Sequence, residues 1–304
     1  MPMAKKSKPM PSPLLNNKSF DGSAPREISY AWSAKNLAER TLIRGIENLT
    51  GRPKLLKMAL GYEDEVEAGR NFWEVMQERY RITMQFEGGG LENVPTEGPL
   101  VMVANHPYGI MDGMAMGRIL SEARGDFRII AHVVFRKAEE LNKIILPIDF
   151  GETKAAMAQN IQTRKVALKY LAEGGAIGIF PGGTVSTAAK PFGKARDPFW
   201  KTFTAKMVAK SGAQVVPVYF DGSNSRLFQV ASHLNQTLRT ALYISEFERN
   251  VGSPLKVTIG RPLPQDEITA RARDSRALMD YLRRETYNLA PAGERDASYG
   301  LYLG

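Results

Sequence analysis

Apolar residues recur along this chain in two patterns. Runs of five to nine residues at 81–87, 99–104, 127–135, 176–180, 214–220 and 255–259 have the length of strands and carry few charges. Between them, apolar positions fall three and four apart, as on one face of a helix. This predicts helices over 54–60, 64–79, 114–120, 137–144, 154–172, 199–211, 234–247 and 266–289. An earlier helix carries the stripe Ala38, Leu42, Ile46 and Leu49 and ends at Gly51-Arg52-Pro53. Strands alternating with helices predict an α/β fold, a mostly parallel sheet covered by helices on both faces, with an N-terminal helical extension. Pro217 predicts an edge or a strand end within 214–220. Four segments follow: a flexible basic tail over 1–28, a helical segment over 29–80, an α/β domain over 81–265, and a helix and tail over 266–304.

Two turns carry the candidate chemistry. The first, Asn105-His106-Pro107-Tyr108-Gly109-Ile110-Met111-Asp112-Gly113, joins a predicted strand to a predicted helix. Pro107 and Gly109 punctuate it, and five residues separate His106 from Asp112. A turn folded so that the carboxylate reaches the imidazole fixes its tautomer and leaves the other nitrogen as a general base. The competing reading makes Asp112 a helix cap and His106 merely buried. The second turn, Pro181-Gly182-Gly183-Thr184-Val185-Ser186-Thr187, also follows a strand. Its glycines let backbone amides approach an oxyanion, and Thr184 and Ser186 add hydroxyls. It is neither a Walker A loop nor a G-x-S-x-G elbow.

Composition narrows the chemistry. The chain has no cysteine, which excludes thiolate metal sites and cysteine nucleophiles. It has three histidines, too few to predict a histidine-rich metal site. Of these, His132 lies in a predicted strand and reads as a core residue. Positive charge is clustered. Residues 1–60 hold eleven basic and four acidic residues, and residues 187–210 hold six basic and one acidic. Such clusters point to an anionic partner. No apolar run approaches the ~20 residues of a membrane span, and Lys5, Lys6 and Lys8 are not followed by the apolar stretch of a secretory signal. A soluble or peripheral protein is expected.

In combination the motifs become specific. Asn105-His106-Pro107 with Asp112-Gly113, then Phe180-Pro181-x-Gly183-Thr184-x-Ser186, then Val215-Val216-Pro217-Val218, resemble the glycerolipid acyltransferase family in order and spacing. The resemblance spans roughly residues 80–265. The five-residue His–Asp gap, Pro217-Val-Tyr-Phe-x-Gly-x-Asn224-Ser225 and Val257-x-Ile259-Gly260-x-Pro262 look most like its hemolysin-like and lyso-ornithine-lipid acyltransferase branch.

The resemblance implies acyl transfer from an acyl thioester, acyl-CoA or acyl carrier protein, to a lysolipid hydroxyl, with no other cofactor and no metal. His106 is then the base and Asp112 its orienting partner. Asn105, Pro107, Gly109, Gly182, Gly183, Thr184, Ser186 and Lys201 are then expected at the substrate. Arg136 is a weaker candidate for an anionic head group. The family's second motif has a glutamate where Gly182 stands and an arginine where Val185 stands, so the acceptor head group stays open. The expected place of work is the cytoplasm, on the inner face of the cell membrane, against an anionic surface. A catalytically silent lipid-binding protein on the same fold is the alternative. Nucleic-acid binding has only charge in its favour, with no interleaved aromatic and basic surface.

Overall fold

The computed structural model describes residues 28–132, 139–149 and 153–302. The expected tail over 1–28 lies, but for Ile28, outside them, as does Arg136. Four helices come first: α1 (Leu37–Leu49), α2 (Arg52–Ala59), α3 (Tyr62–Glu67) and α4 (Phe72–Arg79). Then follow β1 (Thr83–Phe86), β2 (Leu100–Ala104), α5 (Ile110–Arg124), β3 (Arg128–His132), α6 (Glu139–Ile144), β4 (Ile145–Ile148), α7 (Lys154–Ala172) and β5 (Ala176–Ile179). A small hairpin, β6 (Thr187–Ala188) and β7 (Ala195–Arg196), leads to α8 (Phe203–Ser211) and β8 (Gln214–Phe220). The chain ends with α9 (Arg226–Leu234), α10 (Gln236–Asn250), β9 (Pro254–Ile259), α11 (Gln265–Arg271) and α12 (Ser275–Asn288).

Seven strands form one sheet in the order β1-β9-β8-β2-β5-β3-β4. Every pairing in it is parallel except β8 with β9. β2 is apolar throughout because both of its faces are covered. Leu100, Met102 and Ala104 face a core built with α2 to α5 and α10, whereas Val101 and Val103 face one built with α7, α8, α11 and α12. The expected α/β architecture, with helices on both faces, is therefore present. Gly117 on α5 lets Trp73 of α4 lie against it; a Cβ there would come within 2.3 Å of the indole.

Several predicted elements change. The helix expected over 64–79 is two, broken at Gly69 (φ +94°), with the Asn71 side chain capping α4. Asn235 and Asp274 likewise cap α10 and α12 inside stretches expected to be single helices. The helix expected from residue 199 starts at Phe203, so Lys201 lies before it. Helix α5 starts at Ile110, which puts Asp112 in its first turn. β4 and the β6–β7 hairpin were not expected at all. The Pro217 expectation also needs correcting: β8 is an inner strand, flanked by β2 and β9. The proline sits where the β9 ladder runs out. Gly260 donates to the Pro217 carbonyl at 2.9 Å, and the reciprocal bond, which proline cannot make, falls beyond the last strand residue of β9. His132 ends β3 and stacks on Trp32, with ring centroids 4.9 Å apart.

Candidate functional site

Strands β2, β5 and β8 are parallel neighbours, so the turns after them meet at one edge of the sheet. The turn after β2 is held from below by Asn105. Its amide donates to the Phe220 carbonyl and accepts from the Phe220 N–H, both at 2.8 Å, as a strand residue would. Gly109 caps α5 with φ +84°, and a Cβ there would lie 3.2 Å from Val185. Glycine is thus required by conformation and by the close approach of the second turn. Pro107 is buried. Tyr108 lies against Gly222 in the turn after β8, which itself needs φ +112°. Burial and the nearby Asp112 and Asp221 push the Tyr108 hydroxyl up to about 12.

Asp112 is fully buried, and its Oδ2 accepts from the N–H groups of Tyr108 (2.7 Å) and Gly109 (2.9 Å). The same oxygen lies 3.1 Å from Nδ1 of His106. The ring is turned so that Nδ1 does not aim straight at it, and among the described residues no other partner takes that nitrogen. Burial raises the Asp112 carboxyl above its ordinary range; His106 and the two backbone donors pull it back down. Asp112 is therefore both the helix cap and the partner of His106. The two readings of the sequence describe one residue. The imidazole stacks on Phe180 at 4.2 Å. Nδ1 is sealed, so the exposure the side chain keeps, 19%, lies elsewhere on the ring. Nε2 is the nitrogen left for a substrate proton.

The second turn docks on the first. Gly183 adopts φ +70° and donates to the Phe180 carbonyl at 3.1 Å. Ser186 N–H donates to the His106 carbonyl at 2.8 Å, and the Ser186 hydroxyl donates to Asp197 at 2.5 Å. From α10, the fully buried Arg239 donates to the Thr184 hydroxyl (3.1 Å), the Val185 carbonyl (3.0 Å) and the Thr187 hydroxyl (2.6 Å). Lys201 donates its backbone N–H to the Pro181 carbonyl at 3.0 Å, and partial burial lowers its ammonium below the usual lysine range.

His106, Asp112, Asn105, Pro107, Gly109, Gly182, Gly183, Thr184 and Ser186 thus gather at one sheet edge, with the Lys201 backbone beside them. Sequence reasoning missed Asp197, Trp200 and Arg239. Asp197 did leave a signal, as the sole acid in the basic run 187–210. Gly182 is explained by it: a Cβ at 182 would lie 3.3 Å from Asp197 Oδ2. The carboxylate that the resembling motif carries on the loop is absent, and one from the next segment lies against the glycine. Among the described residues, no group of three or more His, Cys, Asp or Glu side chains is placed to hold a metal. The chemistry the site can do is proton transfer at Nε2, beside backbone amides and hydroxyls on a glycine turn.

A family model described as "Acyltransferase" matches residues 42–295. A lyso-glycine lipid O-acyltransferase of Phocaeicola vulgatus is 29% identical over 204 residues, covering 64% of this chain and 70% of that protein. A protein of the same name from Bacteroides thetaiotaomicron is 29% identical over 210 residues, covering 66% and 74%. Among solved structures, the 1-acyl-sn-glycerophosphate acyltransferase PlsC of Thermotoga maritima aligns at 17% identity over 85% of each chain, with a TM-score of 0.44.

Proposed function

The chain belongs to the acyltransferase family, and on that premise we propose that it moves a fatty acyl group from an acyl thioester to the hydroxyl of a lysolipid in membrane lipid synthesis. The observation that carries this reading is His106 Nδ1 lying 3.1 Å from the buried Asp112 carboxylate, with the partial exposure of the ring left to its other atoms. Nε2 takes the acceptor hydroxyl proton as the oxygen attacks the thioester carbonyl. The C–O bond forms, the C–S bond breaks, and the imidazolium returns its proton to the leaving thiolate. Asp112 stabilises the imidazolium in between. General-base help of this kind is worth about 10²–10⁴ in rate. Amides of the second turn, with the Thr184 hydroxyl, receive the tetrahedral oxyanion in this reading.

The relatives' names support a lysolipid acceptor. Gly182 and Val185 argue against assuming a glycerol phosphate backbone. The donor is acyl-CoA or acyl carrier protein. The acceptor is amphiphilic, and no described helix is long and apolar enough to cross a membrane. The enzyme then meets its acceptor at the inner face of the cell membrane. Leu42 and Leu49 of the predicted stripe are 48% and 87% exposed, and Ala38 is exposed beside them. Only Ile46 of that stripe packs inward, with Ile43 and Ala241.

The test is thiol release from acyl-CoA or acyl carrier protein on adding lysolipids of different head groups, with mass analysis of the product. Release that needs both substrates and disappears in His106→Ala is the expected result. Vesicle binding without release from any thioester–lysolipid pair would leave only a lipid-binding role.

A further inference from the structure

Asp197 lies between the two turns and belongs to neither. Its carboxylate is fully buried and accepts three hydrogen bonds. Oδ1 takes the backbone N–H of His106 at 3.1 Å and the Ser186 hydroxyl at 2.5 Å; Oδ2 takes the Trp200 indole N–H at 2.8 Å. All three donors are neutral, and among the described residues no cationic side chain is paired with this carboxylate. A buried charge without a cation is costly, and the fold keeps it nonetheless. Its backbone is anchored as well. The N–H donates to the Tyr287 hydroxyl at 2.8 Å, and the carbonyl accepts from Arg283 and from Gly300 N–H, both at 2.9 Å. Gly182 leaves the carboxylate its room.

The arrangement bears on His106 directly. The His106 N–H goes to Asp197 and its carbonyl accepts from Ser186. Both backbone groups of the histidine are thus tied to the second turn or to the carboxylate that grips that turn. We propose that Asp197 is a positioning residue for the reaction. It holds the His106 backbone where the ring meets Asp112, and through Ser186 it locks the two turns in register. Asp112 orients the ring, and Asp197 orients the residue that carries it. This inference rests on His106 being the base.

The experiment uses the full chain. Asp197→Asn keeps the size and an acceptor for His106 N–H, but removes the charge and turns an amide N–H₂ toward the Trp200 indole. Trp200→Phe is therefore made alone and in combination, to relieve that clash between donors. Three measurements are taken: kcat and KM for donor and acceptor, the melting temperature, and the ring-nitrogen spectrum of protein labelled with nitrogen-15 histidine. With three histidines in the chain, His132 and His233 serve as internal references. In Asp197→Asn, kcat is expected to fall about 10- to 100-fold, the scale set by a small misplacement of a reacting group. KM stays within about twofold, and only the His106 signals move. The same kcat ratio is expected between the combined variant and Trp200→Phe. Should Asp197→Asn not fold, that ratio carries the test.

Wild-type kcat and an unmoved His106 spectrum in a folded variant overturn the proposal. So does a drop in melting temperature in which all three histidines shift and kcat and KM change together, since that is what a merely structural residue does. His106→Ala separates the layers. If it keeps turnover, the reading of the base fails and this inference falls with it. If it is dead while Asp197→Asn is normal, this inference alone fails.

Discussion

Ser186 donates its backbone N–H to the carbonyl of His106 across 2.8 Å. One bond thus joins the two motif turns, which come from different strands. It forms because β2 and β5 are parallel neighbours, so both turns leave the sheet on the same side. Gly109 closes the approach by leaving space for Val185. The groups proposed for proton transfer and for oxyanion binding then fall on one surface, although neither turn holds all of them.

His106→Ala is expected to abolish acyl transfer in a folded protein, measured as thiol release per mole of enzyme. Near-wild-type turnover would end the proposed mechanism.

Asp112→Asn separates stability from activity. Burial raises the Asp112 carboxyl in the folded state, so the folded protein binds that proton more tightly than the unfolded chain. Stability from this group is therefore fully present below the unfolded value and is lost as pH rises through the folded one. An asparagine keeps an acceptor for the Tyr108 and Gly109 amides without a buried charge. The melting temperature at pH 7 is expected to stay level or rise while turnover is severely impaired, because an amide can hold the wrong tautomer and cannot stabilise the imidazolium. Full activity would reduce Asp112 to a helix cap.

Gly183→Val is expected to damage turnover more than stability. At φ +70° a side chain costs about 1–2 kcal/mol, more when β-branched. The turn is expected to relax instead, shifting the amides proposed to receive the oxyanion. Equal fractional losses in melting temperature and rate would assign Gly183 a structural role only.

Arg239→Met should lower both. The guanidinium is fully buried and serves Thr184, Val185, Thr187, Ser232 and Tyr243. Each buried acceptor left without a donor costs about 1–3 kcal/mol. Scanning calorimetry and turnover on the same preparation check this. A variant that melts as the wild type does would mean that the second turn is held without the guanidinium, by its other hydrogen bonds.

Which parts of this were legible follows from how local each signal is. The two turns were readable because Pro, Gly, His and Asp at fixed offsets are local chemistry, and the parallel sheet because its strands are apolar on both faces. The helix breaks were not, because α3 and α4 both feed the core on one side of the sheet, so apolar periodicity runs through the Asn71 cap. β4 is four residues long, contains Pro147 and follows α6 without a loop. Arg239 looks in sequence like any exposed helix arginine, and its acceptors Thr184, Val185 and Thr187 come from a segment far away. Asp197 acquires its meaning only when His106, Ser186 and Trp200 converge on it.

The last prediction concerns the membrane. Residues 1–60 carry eleven basic and four acidic residues, and basic groups near an anionic leaflet contribute ~1 kcal/mol each. On α1, Leu42 and Leu49 are seven apart and share a face, and both are exposed, while the adjoining side packs through Ile43 and Ile46. Exposed leucines beside basic residues are suited to shallow insertion. Beginning the chain near Asp64 is a poor test, since that cut removes Leu55, Ala59 and Tyr62 from the core. Leu42→Asp with Leu49→Asp leaves the core intact. The wild type is expected to co-sediment with anionic liposomes, less so as salt is added, and to bind neutral liposomes poorly. The double variant should lose most of that binding and keep its turnover on detergent-dispersed lysolipid. Unchanged sedimentation by the variant would show that α1 is not the membrane contact.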